Sequence, residues 1–157
     1  MPQATVTPIK DPLVCNAAAL RKATRRITQL YDAALAPCGL SSAQRSVLMH
    51  VDRASEPPTM SDLAHALVLD LSALARNLKP LERDGYLEQT RDPLDGRIRR
   101  IALTPEGRAK LKDANKLWRK AQSRFEQVYG EERAKALRDA LAEIFSDEFV
   151  EAFDARA

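Results

Sequence analysis

Four arginines crowd around one turn in RDPLDGRIRRIALTPEGR, residues 91–108: Arg91 precedes the run Asp92-Pro93-Leu94-Asp95-Gly96, and Arg97, Arg99 and Arg100 follow it. A guanidinium is charged at any physiological pH and presents a rigid fork of donors, so it suits anion and base-edge binding better than proton transfer. The acids, proline and glycine form a turn, and Tyr86–Thr90 and Ile98–Leu103 read as the strands it joins. Asp95, two residues before Arg97, is placed to hold that guanidinium in a bidentate pair and orient it.

A second basic set lies just upstream. Asp70 is a good N-cap for a helix running to about Arg83, with Gly85 as its stop. At 100° per residue, Leu71, Leu74, Leu78 and Leu81 share one side, which predicts a core-facing stripe. Ser72, Arg76, Lys79 and Arg83 project from the opposite side, with Ala73 and Pro80 at its edge. A solvated face accounts for that pattern; so does a recognition helix. In the second case Ser72, Ala73 and Arg76 enter the major groove of DNA, while Lys79 and Arg83 meet phosphates.

Enzyme chemistry finds little to work with. The chain has no glycine-rich phosphate loop and no nucleophile elbow, and His50 and His65 have no evident acid or nucleophile partner. Two histidines and two cysteines, none at ligand spacing, predict neither a metal site nor a cofactor. Cys15 and Cys38 read as free thiols buried as small hydrophobes.

The bulk properties fit a single globular domain: 157 residues, 45% hydrophobic and 30% charged. A net charge of +3 is mild, so a nucleic-acid argument rests on where the charge sits. Met1–Pro12 lacks the apolar stretch of a signal peptide, and no run approaches the roughly 20 residues that span a bilayer. A cytoplasmic protein without membrane contact is expected.

The elements that position these residues follow from spacing. Residues 1–12, with Pro2, Pro8 and Pro12, read as a flexible arm. Leu13, Leu20, Ile27 and Ala34 recur every seven residues in a helix to about Ala36, ended by Pro37-Cys38-Gly39. Ser41 with Gln44 is a capping box for a helix that turns Val47, Leu48 and Val51 inward. Thr59 with Asp62 caps a short helix to about Ala66. Beyond the hairpin, Thr104 and Pro105 open a long helix whose Leu111, Ala114, Trp118, Ala121, Phe125 and Val128 form a coiled-coil-like seam. Gly130 breaks it, and one final helix carries Leu137, Leu141, Ile144 and Phe145 to about Phe153. A short helix, a tight turn, a second helix and a hairpin describe a winged helix-turn-helix. Beside such a unit Arg97 can enter the narrow minor groove, where negative potential is strongest, and Arg99 and the other hairpin arginines serve the same DNA.

Residues 63–108, LAHALVLDLSALARNLKPLERDGYLEQTRDPLDGRIRRIALTPEGR, resemble the MarR-type transcription regulators. The likeness lies in the helix-turn-helix, the junction Leu81–Leu87, the Asp-x-Arg wing tip Asp95–Arg97 and the exit Leu103–Gly107, and extends over about Leu13 to Phe153. It implies a mainly α fold with a two-stranded β wing and a single domain over 13–157. Residues 41–104 would form the DNA-binding lobe, and helices 13–37 and 105–157 an obligate homodimer interface. It also implies DNA contacts by Ser72, Ala73, Arg76 and Arg97, oriented by Asp95, on an inverted-repeat operator with half-sites about 34–36 Å apart.

The sequence departs from the family at Val68, where glycine is common, at Leu71, and at Ala73 and Ala75, where hydroxyl residues often sit. Fewer base-edge donors shift readout toward Arg76, thymine methyls and DNA shape. Pro80 must kink or shorten the recognition helix.

The resemblance further implies a repressor released by a small effector, often an aromatic or phenolic acid. Its cleft would be lined by Arg21, Arg25, Tyr31, Arg45, Met49, His50 and Trp118, although Tyr31 and Trp118 also read as core and His50 as a satisfied helix residue. Some relatives sense peroxide through a cysteine near the start of the first helix; alignment puts that position at Ala17, two residues beyond Cys15, and Cys38 lies at the helix's far end. A winged-helix adaptor that does not bind DNA is the remaining alternative, and it predicts a wing without basic residues.

Overall fold

The computed structural model describes residues 15–155, so the arm at 1–12 and Leu13 lie outside the described residues. Helix α1 (Asn16–Leu35) starts after Cys15, which holds the N-cap position without a side-chain capping bond. A 3-10 turn, Ala36–Cys38, follows, and Gly39 takes the left-handed conformation that lets the chain reverse.

Helix α2 (Ser42–Arg53) begins with the expected capping box of Ser41 and Gln44 and buries Val47, Leu48 and Val51. The Asp32 carboxylate also accepts from the Ser42 amide and hydroxyl at 2.7 and 2.6 Å, locking α1 to the start of α2. Helix α3 (Met60–Ala66) carries a full capping box of Thr59 and Asp62. Helix α4 (Leu71–Arg83) is capped by Asp70, whose carboxylate accepts from the Ala73 amide at 2.6 Å.

Strands β1 (Leu87–Arg91) and β2 (Arg99–Leu103) pair antiparallel, with Leu87 opposite Leu103 and Arg91 opposite Arg99. They start one residue later than the alternation predicts. A bridge between Thr59 and Arg100, with the Ile101 amide donating to the Pro58 carbonyl at 2.9 Å, ties the approach to α3 onto the wing. Nothing in the spacing of residues 57–59 announces that pairing, because it depends on a partner far along the chain.

Helix α5 (Pro105–Tyr129) packs on α1, α2 and α6 (Glu131–Ile144). Three expectations need correction. The terminal helix is broken: α6 stops at Ile144, and Ser146 caps a separate α7 (Asp147–Asp154) by accepting from the Phe149 amide at 3.2 Å. Ser-Asp-Glu was the local signal, a capping hydroxyl followed by acids in a first turn. Leu71 is not in the core; it stands 53% exposed at the first position of α4, while Leu74 one turn on is fully buried. Pro80 likewise does not cut α4 short, which continues to Arg83.

The core gathers Leu35, Leu48, Leu63, Leu74, Leu78 and Ile101 from five elements around the helix-turn-helix. The α5 seam begins inside it with Leu111 and Ala114, then emerges into solvent by Val128. No helix among the described residues is long and apolar enough to cross a membrane.

Candidate nucleic-acid interface

Helix α3 ends in a Schellman motif: the Val68 amide donates to the His65 carbonyl at 3.0 Å and the Leu69 amide to the Ala64 carbonyl at 2.9 Å. The residue at its left-handed position is Val68, at φ 51°. Helix α4 ends in the same motif, with Gly85 at φ 76° in the equivalent place. Glycine adopts this conformation without penalty, and this chain meets it at position 68 with a β-branched residue at a steric cost.

Four of the expected recognition-helix residues, Ser72, Arg76, Lys79 and Arg83, are exposed, and Ala73 is half-buried. Arg83 also donates to Asp84 at 2.8 Å, which tethers the end of that face. Asn77 turns its amide back on the Ala73 carbonyl at 3.0 Å and is spent locally.

The wing tip is built by two aspartates. Asp92, only 6% exposed, accepts from the Leu94 and Asp95 amides at 2.7 and 2.9 Å and from the Arg100 guanidinium. Those donors hold its carboxyl below the usual carboxylate range, the Asp95 amide most of all. Asp95 accepts from Arg97 three times: backbone amide 3.0 Å, Nε 3.1 Å and Nη2 3.2 Å. Hydrogen bonds from the Arg97 guanidinium, and then from its backbone amide, lower the Asp95 carboxyl's pKa in turn. The expected bidentate pair is present, and its arginine side chain is 92% exposed.

Arg91 and Arg99 are exposed, but Arg100 is not a free wing arginine. Besides Asp92 it donates to the Pro57 carbonyl at 2.9 Å and lies 3.8 Å from the Glu56 carboxylate. Its role is to join wing and helix-turn-helix. Sequence spacing hid this because Arg100 and Asp92 meet only across the hairpin.

The exit motif has a physical reason as well. The Thr104 hydroxyl donates to the Gly85 carbonyl at 2.6 Å and accepts from the Gly107 amide at 3.0 Å. A Cβ on Gly107 would lie 2.0 Å from the Tyr86 carbonyl oxygen, so only glycine permits this approach.

Of the seven expected pocket residues, Tyr31 lines apolar hollows beside α1 and α5. Arg21 and Arg25 are exposed on α1. The Tyr31 hydroxyl donates to Gln122 at 2.8 Å, and His50 Nδ1 lies 2.8 Å from the Ser46 carbonyl, a satisfied helix residue. Arg45 bonds Asn115 at 2.9 and 2.7 Å and stacks 4.2 Å from the Trp118 ring. Burial lowers the pKa of the Arg45 guanidinium, and no carboxylate pairs with it among the described residues. Met49 packs against the core. The cysteines also differ from expectation: Cys15 is exposed, and half-buried Cys38 donates its thiol to the Leu35 carbonyl at 3.0 Å. An apolar hollow of about 570 Å³ does lie between α1 and α5, lined by Ile27, Leu30, Tyr31, Ala34, Ala121 and Phe125 among others.

These features define a winged helix-turn-helix DNA-binding protein, and residues 40–107 match the model of a winged helix DNA-binding domain. An HTH-type transcriptional regulator of Bacillus cereus is 30% identical over 122 residues, 77% of this chain and 80% of its own. Another, from Bacillus subtilis, is 35% identical over 71 residues, so this chain spans 41% of its length. The M. tuberculosis transcriptional regulator MosR, solved with DNA, has a TM-score of 0.76 and 34% identity over 88% of this chain and 97% of its own. The transcriptional repressor CouR, bound to a 23-mer DNA duplex, gives 0.78 and 29% over 89% and 100%. CouR from Rhodococcus jostii RHA1 has also been solved with p-coumaroyl-CoA. A MarR-family regulator of Rhodococcus sp. RHA1 gives 0.74 and 25% over 87% and 99%. The chain belongs to the MarR family of transcription regulators.

Proposed function

We propose that the protein acts in the cytoplasm as a homodimeric, sequence-specific repressor, bound to an inverted-repeat operator and released by a small organic anion. The observation that carries the DNA-binding half is Arg97, exposed yet already aimed by Asp95, so little order remains to be imposed when it meets the minor groove. Ser72, Ala73 and Arg76 read the major groove, and Lys79, Arg83 and Arg99 contact phosphates.

Residues 41–104 form the DNA-binding lobe, and the terminal helices, 13–37 and 105–157, the dimer. Ile27, Leu30, Leu137, Phe145, Phe149 and Phe153 support this, since a lone protomer leaves all of them exposed to water. Arg45 supports an anionic effector: it is a partly buried cation on an aromatic wall without a carboxylate of its own. An aromatic acid or its acyl thioester suits that chemistry, and CouR binds such a thioester.

The test is binding of the purified protein to a labelled fragment of its own upstream DNA at two salt concentrations, with and without a panel of aromatic acids and thioesters. Binding that weakens steeply with salt, and is lost with one ligand class, is expected. Release by hydroperoxide, restored by reductant, would instead select exposed Cys15 as a redox sensor. No binding by folded protein would return the adaptor alternative.

A further inference from the structure

The end of α4 that would lead into the major groove is poor in hydrogen-bonding groups. Asp70 is engaged with the Ala73 amide and Asn77 with the Ala73 carbonyl, which leaves Ser72 and Arg76 as the polar side chains there. Beside them, Leu71 is 53% exposed and Val68, held out by its left-handed backbone, is 69% exposed. Ala75 adds a third exposed methyl group. In the major groove the thymine C5-methyl is the apolar feature that distinguishes one base pair from another.

We infer that Leu71, flanked by Val68, is a specificity-determining residue that reads thymine by covering its C5-methyl group. This rests on the DNA-binding reading above. Leu71 is the first residue of its helix, so its side chain leans back over the turn toward Val68, and the two form one apolar edge. In free protein that edge faces water. Against a thymine methyl it is covered, whereas cytosine offers an amino group that apolar carbon cannot satisfy. Each half-site of the operator should therefore carry a thymine at the Leu71 position.

Uracil provides a probe that removes only the methyl. A duplex selected by the wild-type protein from a randomised pool is prepared twice, with thymine and with uracil throughout, and its affinity is measured for the wild type and Leu71→Ala. Because Leu71 is exposed and alanine favours helices, the variant should melt as the wild type does. The wild type is expected to bind the uracil duplex about tenfold more weakly, one methyl contact being lost in each half-site. Leu71→Ala should bind the thymine duplex more weakly and lose less than about twofold on going to uracil. Equal wild-type affinity for both duplexes, or the same uracil penalty in the variant, overturns the inference and leaves DNA binding standing. If the folded wild type enriches no duplex at all, the DNA-binding reading itself falls, and this inference with it.

Discussion

Asp92 and Arg100 meet across the hairpin, and their pair decides what the wing is. The aspartate gathers the Leu94 and Asp95 amides on one oxygen and the Arg100 guanidinium on the other. Arg100 then reaches the Pro57 carbonyl, so the wing is anchored to the approach of α3. Three residues nearer the tip, Asp95 and Arg97 form a similar pair that faces outward. One pair fixes the wing to the lobe; the other presents a guanidinium beyond it.

Two arginines of one turn should therefore fail differently. Arg97→Ala should weaken operator binding at least tenfold with little change in melting temperature, because its side chain is 92% exposed and paired with Asp95 at the wing tip. Arg100→Ala should lower the melting temperature, because Asp92 is left buried with a charge and without its cation. Fluorescence anisotropy and thermal melts on the same samples separate the two effects. Equal melting temperatures for both variants would refute the anchoring role.

Acid should loosen the wing in a defined direction. The folded Asp92 carboxyl titrates below its unfolded value, so its contribution is complete above about pH 4 and is lost as pH falls through the lower, folded value. Asp92→Asn should be less stable than the wild type at neutral pH, and the gap should narrow on acidification below about pH 4. Melts from pH 3 to 7 check this; a gap independent of pH would show that the charge contributes nothing.

The strained turn offers a stabilising substitution. Val68→Gly removes a left-handed penalty of about 1–2 kcal/mol but adds unfolded-state freedom of about 0.5–1 kcal/mol. A net gain of about 0.5–1 kcal/mol in urea unfolding is expected, and Gly85→Val, in the matching motif, should lose stability.

Gly107→Ala should be among the most damaging small changes. The new methyl would collide with the Tyr86 carbonyl, backbone that cannot swing aside, so a loss of about 3 kcal/mol is expected in the same unfolding assay. A neutral result would mean that α5 can move off the wing.

The terminal helices should be separable from the fold. Phe153 is 69% exposed in the protomer, so Phe153→Asp should leave the melting of the lobe intact while sedimentation shows dissociation. Leu20→Asp is expected to dissociate it similarly. A dimer unaffected by both would move the interface elsewhere.

Much of this protein is written locally. The caps at Ser41, Thr59, Asp70 and Thr104 each act over three residues, so spacing alone located four helix starts. The Asp95–Arg97 pair spans two residues and was legible for the same reason. Local pattern also placed Leu74, Leu78 and Leu81 inward, because helical periodicity fixes which residues share a face. What it could not decide was whether anything covers a given face. Leu71 shares the periodicity of its neighbours but stands half in solvent at the start of the helix. Arg100 looks like Arg97 in sequence and is set apart only because Asp92 and Pro57 converge on it from distant segments. Arg45 found Asn115 and Trp118 across helices, while Arg21 and Arg25 on α1 stayed exposed. Periodicity and capping are properties of a short stretch of chain; cover and partnership are properties of the packed molecule.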